Sequence, residues 1–225
     1  MSEASGLSAV VQALVAEATE WRLIELLFRC PSDTWRQQVD AVACEVKDPL
    51  LSSAARLAVA GASEGAFHSI FGPGGPAPAR EASYHGTIQL GYLMAELTAY
   101  YNAFAYSPAA SNEPIDHVSV EAGFIGYLKL KQAFALNREA GAERSVAAEA
   151  ADRFIREHLS AIAEPMSMAL DQSDVPYLEL AGKALLGRTG PPPQQMTAIL
   201  DHETDKREGC LFDCGGFHES PEKHR

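Results

Sequence analysis

The sequence predicts an all-α fold with roughly eight to ten helices, and two observations carry that prediction. Apolar residues recur three and four positions apart along most of the 225-residue chain, which is the spacing of one helix face. We find no segment with the apolar and polar alternation of a half-buried strand. Since no internal repeat is visible, we expect a single helical domain over residues 1–200 and a polar tail over residues 201–225.

The first half of the chain divides into helices at proline and capping residues. An amphipathic helix is expected over residues 7–28, and a second helix carries the apolar residues of the segment 35–46. Asp48 and Pro49 form an N-cap followed by proline at the first helical position, which starts a third helix.

Residues 72–78 contain three glycines and three prolines and must form a loop. The aromatic residues just before it, Phe67 and Phe71, are expected to anchor the loop to the core. A glycine-rich loop can cradle phosphate, but here the Walker spacing is absent and no strand precedes it, which speaks against nucleotide binding.

The second half of the chain contains the most apolar helices. A helix over residues 88–105 is apolar on two opposite faces, so we expect it to be central. The next, over residues 118–140, is apolar on nearly its whole circumference and ends at Gly141. Further helices are expected up to residue 159, over residues 161–170, and from Pro176 to a stop at Gly187. The helix over 118–140 also carries a smooth stripe against which another helix can press closely, formed by Ser119, Ala122, Gly126 and Ala133.

The charge and composition limit the classes of partner. The formal net charge is −12, which repels nucleic acid and anionic lipid and favours a cationic partner, although acidity also serves solubility. No apolar run is long enough to span a membrane, and we expect no stable membrane insertion. The first residues carry no basic segment of a secretory signal, so the sequence predicts a cytoplasmic protein with reduced cysteines.

The tail carries Cys210, Cys214 and His218 in a C-x3-C-x3-H pattern. These are soft-metal ligands, but the spacing differs from that of zinc fingers, and the glycines between them keep them off one helix face. A tail with two exposed thiols is the alternative, and we predict no metal site and no cofactor.

The segment 113–121 places a turn signal, acids and a histidine directly before the most buried helix. Pro114 ends a loop, residues 107–114 could act as a hinge, and Asp116 is expected to cap the helix. On a structural interpretation His117 and Glu121, four residues apart, form an ordinary same-face pair. On a functional interpretation Glu113, His117 and Glu121 face a partner. Neither a nucleophile elbow nor the doubled Glu-x-x-His motif of di-iron bundles is found, so the sequence predicts no enzyme.

The order of these features resembles the TorD/NarJ/DmsD family of maturation chaperones for molybdenum oxidoreductases. The resemblance covers residues 7–187 and depends on the turn Phe71-Gly72-Pro73, on Tyr84 soon after it, and on the string Glu113-Pro114-x-Asp116-His117 before a buried helix.

The resemblance implies a binding protein that holds the apo catalytic subunit of an oxidoreductase of the dimethyl sulfoxide reductase family, together with its twin-arginine signal peptide, until the molybdopterin cofactor is inserted. Asp116 and His117 would recognise the peptide, and Glu113 and Pro114 would shape the loop. A receptor for such a peptide, which has a basic and an apolar segment, needs carboxylates beside an apolar groove. The expected carboxylates are Glu113, Asp116 and Glu121, and the expected groove residues are Tyr84, Tyr92, Tyr100, Tyr101 and Phe104.

The family also includes members that bind GTP weakly, and both monomers and domain-swapped dimers. Two other functions remain open at this stage. One is a metal- or haem-dependent helical enzyme using His68, His85, His117 or the tail, and the other is a generic acidic adaptor for a basic protein.

Overall fold

The computed structural model describes residues 8–85, 90–108 and 113–192. Over these residues the chain forms nine α-helices and no β-strand, which confirms the all-α prediction. A 3-10 turn at Glu81–Tyr84 precedes α5, and a π-helical turn at Ile155–Leu159 joins α7 to α8. The helices are α1 (Ala9–Leu27), α2 (Asp33–Ala43), α3 (Pro49–Gly61), α4 (Glu64–Phe71), α5 (Leu90–Ala103), α6 (Val118–Asn137), α7 (Gly141–Phe154), α8 (Ser160–Leu170) and α9 (Pro176–Thr189).

Short polar side chains start the first four helices. The hydroxyls of Ser8, Ser32 and Ser63 and the carboxylate of Asp48 accept hydrogen bonds from backbone N–H groups of the first turn. Each such cap stabilises its helix by about 1 kcal/mol. These local contacts explain why the starts of α2 and α3 could be predicted from the sequence.

Helix α6 is the centre of the fold and packs against α1 and α7. Its first half is buried around the whole circumference. A Cβ atom on Gly126 would lie only 3.3 Å from the carbonyl oxygen of Ala18 and 3.3 Å from Cβ of Trp21, so this glycine lets α1 approach closely. The predicted close packing along the small-residue stripe is therefore confirmed at Gly126, and the other three residues of the stripe are buried.

A second layer is formed by α9, which packs against α3 and α8. Trp35 of α2 ties this layer to α1, since its indole N–H donates a hydrogen bond of 2.6 Å to the carbonyl of Leu26. The rings of Phe67 and Phe71 lie 4.8 Å apart beside the 72–78 loop, and Phe67 is buried, so the expected anchoring is confirmed.

Three boundaries differ from the prediction because apolar spacing does not mark where a helix stops. Val46 is buried but follows the end of α2, and Gly141 begins α7 where the sequence suggested that it ends α6. Helix α9 continues past Gly187 and stops at Gly190, where the φ of 70° would be strained for a residue with a side chain.

Helix α5 also differs, because only one of its apolar faces is buried. Leu93, Leu97 and Tyr101 face the core, while Leu90 and Tyr92 are exposed. The prediction of a central helix is therefore wrong, and the second face of α5 forms a wall of the groove described below.

Among the described helices, none has the length and hydropathy of a membrane span. Residues 109–112 of the predicted hinge, and the tail with Cys210, Cys214 and His218, lie outside the described residues.

Candidate functional site

The start of α6 is fixed by the segment 79–85, which runs alongside it. The N–H of Val118 donates to the carbonyl of Ala79, and the N–H of Glu81 donates to the carbonyl of Asp116, both at 2.8 Å. Arg80 and His117 form an antiparallel bridge between the two segments. The string Glu113 to His117 is thus part of a backbone junction between two distant stretches of the chain.

Asp116 is fully buried and is bound by Arg80. The guanidinium Nε lies 2.9 and 3.1 Å from the two carboxylate oxygens, and Nη2 lies 2.9 Å from Oδ1. The N–H of Ala82 adds a longer hydrogen bond of 3.4 Å. The prediction that Asp116 caps α6 is therefore wrong, because Arg80 and the 79–85 segment occupy its carboxylate.

His117 is the N-cap of α6 instead. Its Nδ1 accepts a hydrogen bond of 3.2 Å from the N–H of Ser119 and lies 2.7 Å from the hydroxyl of the same serine. Burial lowers the pKa of His117, although the nearby Glu113 and Asp116 carboxylates oppose the shift. A neutral imidazole suits this position, since a helix N-terminus repels positive charge and Nδ1 must stay unprotonated to accept.

A buried polar cluster lies beneath this junction. Glu81 and Glu121 are both fully buried. Nε2 of His85 lies 2.8 Å from Oε1 of Glu81, and Nδ1 of His158 lies 3.2 and 3.1 Å from its two carboxylate oxygens. Glu81 thus joins the 3-10 turn to the π-helical turn across 77 positions of sequence.

Glu121 lies beside the carboxylate of Glu81. Among the described residues, no N–H or O–H donor bonds to either of its carboxylate oxygens. Its pKa is raised well above the ordinary value of 4.5, first by burial, next by the negative charge of Glu81 and a hydrogen bond to Glu81 that favours the protonated carboxyl, and last by the charge of Asp116. Glu121 therefore cannot present a charge to a partner, and the functional interpretation of this side chain is wrong.

We expect replacement of Glu121 by glutamine to stabilise the protein at neutral pH. Because the folded-state pKa exceeds that of the unfolded chain, stability is lost as the pH rises above about 4.5. Glutamine does not titrate, so the variant should gain on the order of 1–2 kcal/mol at pH 7 and little at pH 4. Urea unfolding at both pH values measures the difference. The exposed control Glu149→Gln should show no comparable gain, and equal gains at the two pH values would contradict the assignment to Glu121.

An open groove lies beside this cluster, between α5, α7 and the π-helical turn. Its volume is about 980 Å³. One wall comes from α5 and Phe104 and is mostly small and aromatic, with Glu96 as its charged residue. The other comes from α7 and the π-helical turn and carries the remaining charged side chains. The lining residues are Glu96, Ala99, Tyr100, Ala103, Phe104, Val146, Glu149, Ala150, Asp152, Arg153, Arg156 and Glu157.

Four carboxylates and two guanidinium groups line the groove. One carboxylate is held in place: Glu157 accepts hydrogen bonds from the Tyr100 hydroxyl at 3.1 Å and from Nε of Arg153 at 3.2 Å. Burial, followed by the charge of Glu157, raises the pKa of Tyr100 to about 12, so its hydroxyl stays a donor. The groove therefore offers apolar area beside an excess of negative charge.

The structure separates the predicted site residues into three groups. Tyr100 and Phe104 line the groove, and Tyr92 is exposed farther along the same helix. Tyr101 is buried, and its hydroxyl donates a hydrogen bond of 2.9 Å to the carbonyl of Ile115. The hydroxyl of Tyr84 donates a hydrogen bond of 2.7 Å to the carbonyl of Pro78. Of the segment 113–121, Pro114 is exposed and Glu113 and Ile115 are half-buried, whereas Asp116, His117 and Glu121 are buried.

The carboxylates beside the apolar wall are consequently not those predicted. They belong to Glu96, Glu149, Asp152 and Glu157, none of which the sequence singled out. Arg80, Glu81 and His158 were also missed. The four-residue spacing of Glu81 and His85 was a visible signal for one contact of the cluster, but no local pattern marks His158.

By its fold and this site, the protein belongs to the class of all-α proteins with an open, carboxylate-lined groove on the surface.

The chain belongs to the nitrate reductase delta subunit family, whose sequence model matches residues 35–166, more than half of the chain. This is a family of maturation chaperones for molybdenum enzymes and not of catalysts. The match begins at Trp35 and ends at Met166, so it includes the 79–85 segment, the start of α6 and the whole groove. Neither curated proteins nor solved structures gave a significant match to the chain.

Proposed function

We propose that the protein is a cytoplasmic chaperone that binds the apo catalytic subunit of a molybdopterin oxidoreductase and receives its twin-arginine signal peptide in the α5–α7 groove. The observation that supports this most directly is the pairing of an aromatic wall with four carboxylates in one open recess. Family membership supplies the type of partner.

A twin-arginine leader has the two chemical features that this groove complements. Its apolar segment can pack on Ala99, Ala103 and the rings of Tyr100 and Phe104. Its two guanidinium groups can pair with Glu149 and Asp152, whose carboxylates suit the planar fork of arginine. The net charge of −12 would also speed the encounter with a basic peptide.

The segment 113–121 has an indirect part in this proposal. Asp116 and His117 fix the start of α6, and α6 carries Phe124, whose ring lies 6.3 Å from that of Tyr100 and 6.1 Å from that of Phe104. Of the string, Glu113, Pro114 and Ile115 are accessible enough to contact a partner, whereas Asp116 and His117 are buried. Replacing Asp116 or His117 would then weaken binding through the position of the groove wall.

The test is a titration of the purified protein with a synthetic twin-arginine leader peptide. The double variant Glu149→Gln, Asp152→Asn should bind about tenfold more weakly, because exposed ion pairs contribute up to about 1 kcal/mol each. The loss should shrink at high salt, since exposed charges are screened.

A matched control removes the same charge elsewhere. Asp40 and Glu45 are exposed, on and just after α2, so Asp40→Asn, Glu45→Gln should bind as the unaltered protein does. No binding of the leader, or equal weakening in both double variants, would overturn the proposed groove.

A further inference from the structure

Two carboxylates that line the groove and the buried His158 form a group of three ligands of the kind that hold transition metals. One carboxylate oxygen of Glu96, one of Glu157 and a ring nitrogen of His158 lie within 4.8 Å of one another. Glu96 comes from α5, and the other two come from the π-helical turn. Such turns occur frequently at functional sites.

His158 provides the second, independent observation. It is 2% exposed, and among the described residues its Nε2 has no hydrogen-bond partner. A buried polar atom without a partner costs free energy, so its retention calls for a physical reason. The ring is fixed from the other side, because Nδ1 lies 3.1 Å from a carboxylate oxygen of Glu81.

That arrangement matches the second shell of metal-binding histidines. A carboxylate that accepts the N–H of one ring nitrogen leaves the lone pair of the other nitrogen free to bind a cation, and it raises the basicity of that nitrogen. With Nδ1 donating to Glu81, Nε2 is the nitrogen that carries the lone pair.

We propose that Glu96, Glu157 and Nε2 of His158 bind a divalent transition-metal ion of the zinc class. One imidazole and two carboxylates suit Zn²⁺ better than Mg²⁺ or Ca²⁺, which take oxygen ligands. Ligand atoms around a tetrahedral zinc lie roughly 3.4 Å apart, given bond lengths of about 2.1 Å. Glu96 is half-buried and the Glu157 side chain is 44% exposed, so both have room to move by the remaining distance.

Two existing contacts oppose the ion, and one of them can be removed. Glu157 already accepts hydrogen bonds from Tyr100 and Arg153. The guanidinium of Arg153 competes with a cation for this carboxylate and repels it. Removing that guanidinium should therefore strengthen binding, which distinguishes a ligand role of Glu157 from a structural one.

The experiment titrates the full chain, without an affinity tag and stripped of metal, with Zn²⁺ against a chelator of known affinity. No peptide is present, so the outcome does not depend on the proposed function. Glu96→Gln should weaken binding on the order of 100-fold, and Arg153→Gln should tighten it severalfold. Glu149 lines the same groove, and Glu149→Gln removes the same charge, but this variant should leave the affinity for Zn²⁺ unchanged.

Cobalt separates this site from the thiols of the chain. The proposed ligands are nitrogen and oxygen, so Co²⁺ bound there should give weak visible absorption without a thiolate charge-transfer band, and Glu96→Gln should abolish that absorption. Addition of Zn²⁺ should also shift the ¹⁵N resonance of Nε2 in His158. Equal affinity of Glu96→Gln and the unaltered protein, or equal weakening in Glu96→Gln and Glu149→Gln, would overturn the proposal.

Discussion

Replacement of Arg80 by methionine is expected to lower the free energy of unfolding by about 3–5 kcal/mol. The side chain of Asp116 is 0% exposed and receives three guanidinium contacts of 2.9 to 3.1 Å. Methionine keeps the apolar stem of arginine but removes all of them, which leaves a buried carboxylate with the 3.4 Å hydrogen bond from Ala82. Breaking a buried pair in this way is costly because the remaining charge has lost its water as well as its partner.

Replacement of the other partner, Asp116, should lower the free energy of unfolding by less. In Asp116→Asn the arginine loses its partner, but 45% of its side chain is exposed and water can solvate it. We expect a loss of about 1–3 kcal/mol, mainly from weakened hydrogen bonds of the buried group.

Urea unfolding at pH 7 measures both changes. Arg56→Met is the matched control, since Arg56 is exposed on α3 and bonds only to the Ser53 side chain among the described residues. Its free energy of unfolding should change by less than about 0.5 kcal/mol. A loss in Arg80→Met no larger than in this control would show that the pair does not hold the junction.

The Asp116 pair also shows where sequence reasoning stops. The acid and histidine before an apolar helix indicate a helix start, and α6 does start there, because capping and the restriction by Pro114 act within a few residues. The sequence predicted the wrong residue as the N-cap of α6. Arg80 lies 36 positions away from Asp116, and no local pattern shows that it takes the carboxylate and leaves the cap to His117.

The groove was predicted in part for a similar reason. The aromatic cluster at the end of α5 singled out Tyr100 and Phe104, but apolar spacing cannot distinguish a face that meets another helix from one that stays open. Three of the four carboxylates come from α7 and the following turn, some 45 to 60 positions further along the chain. Helix α7 packs on α6, and Phe124 of α6 contacts both Tyr100 of α5 and Phe154 of α7, a meeting that spacing within one helix does not encode.

Phe124→Ala is expected to destabilise the protein by about 3–5 kcal/mol, because it opens a cavity at the centre of an aromatic cluster. Phe124 is fully buried on α6. Among the described residues, five aromatic rings have centroids 4.9 to 6.3 Å from its own, those of Tyr100, Tyr101, Phe104, Tyr106 and Phe154. Edge-on contacts of this kind add to the area that the ring buries.

The same helix offers the control. Phe134 is 60% exposed on α6, so Phe134→Ala makes the same chemical change without a cavity and should cost less than about 0.5 kcal/mol. Thermal unfolding compares the two variants. Because Tyr100 and Phe104 would lose the ring that supports them, folded Phe124→Ala should also show weaker near-ultraviolet circular dichroism and weaker binding of the leader peptide. A folded Phe124→Ala that binds the leader as tightly as Phe134→Ala would separate the aromatic cluster from the function of the groove.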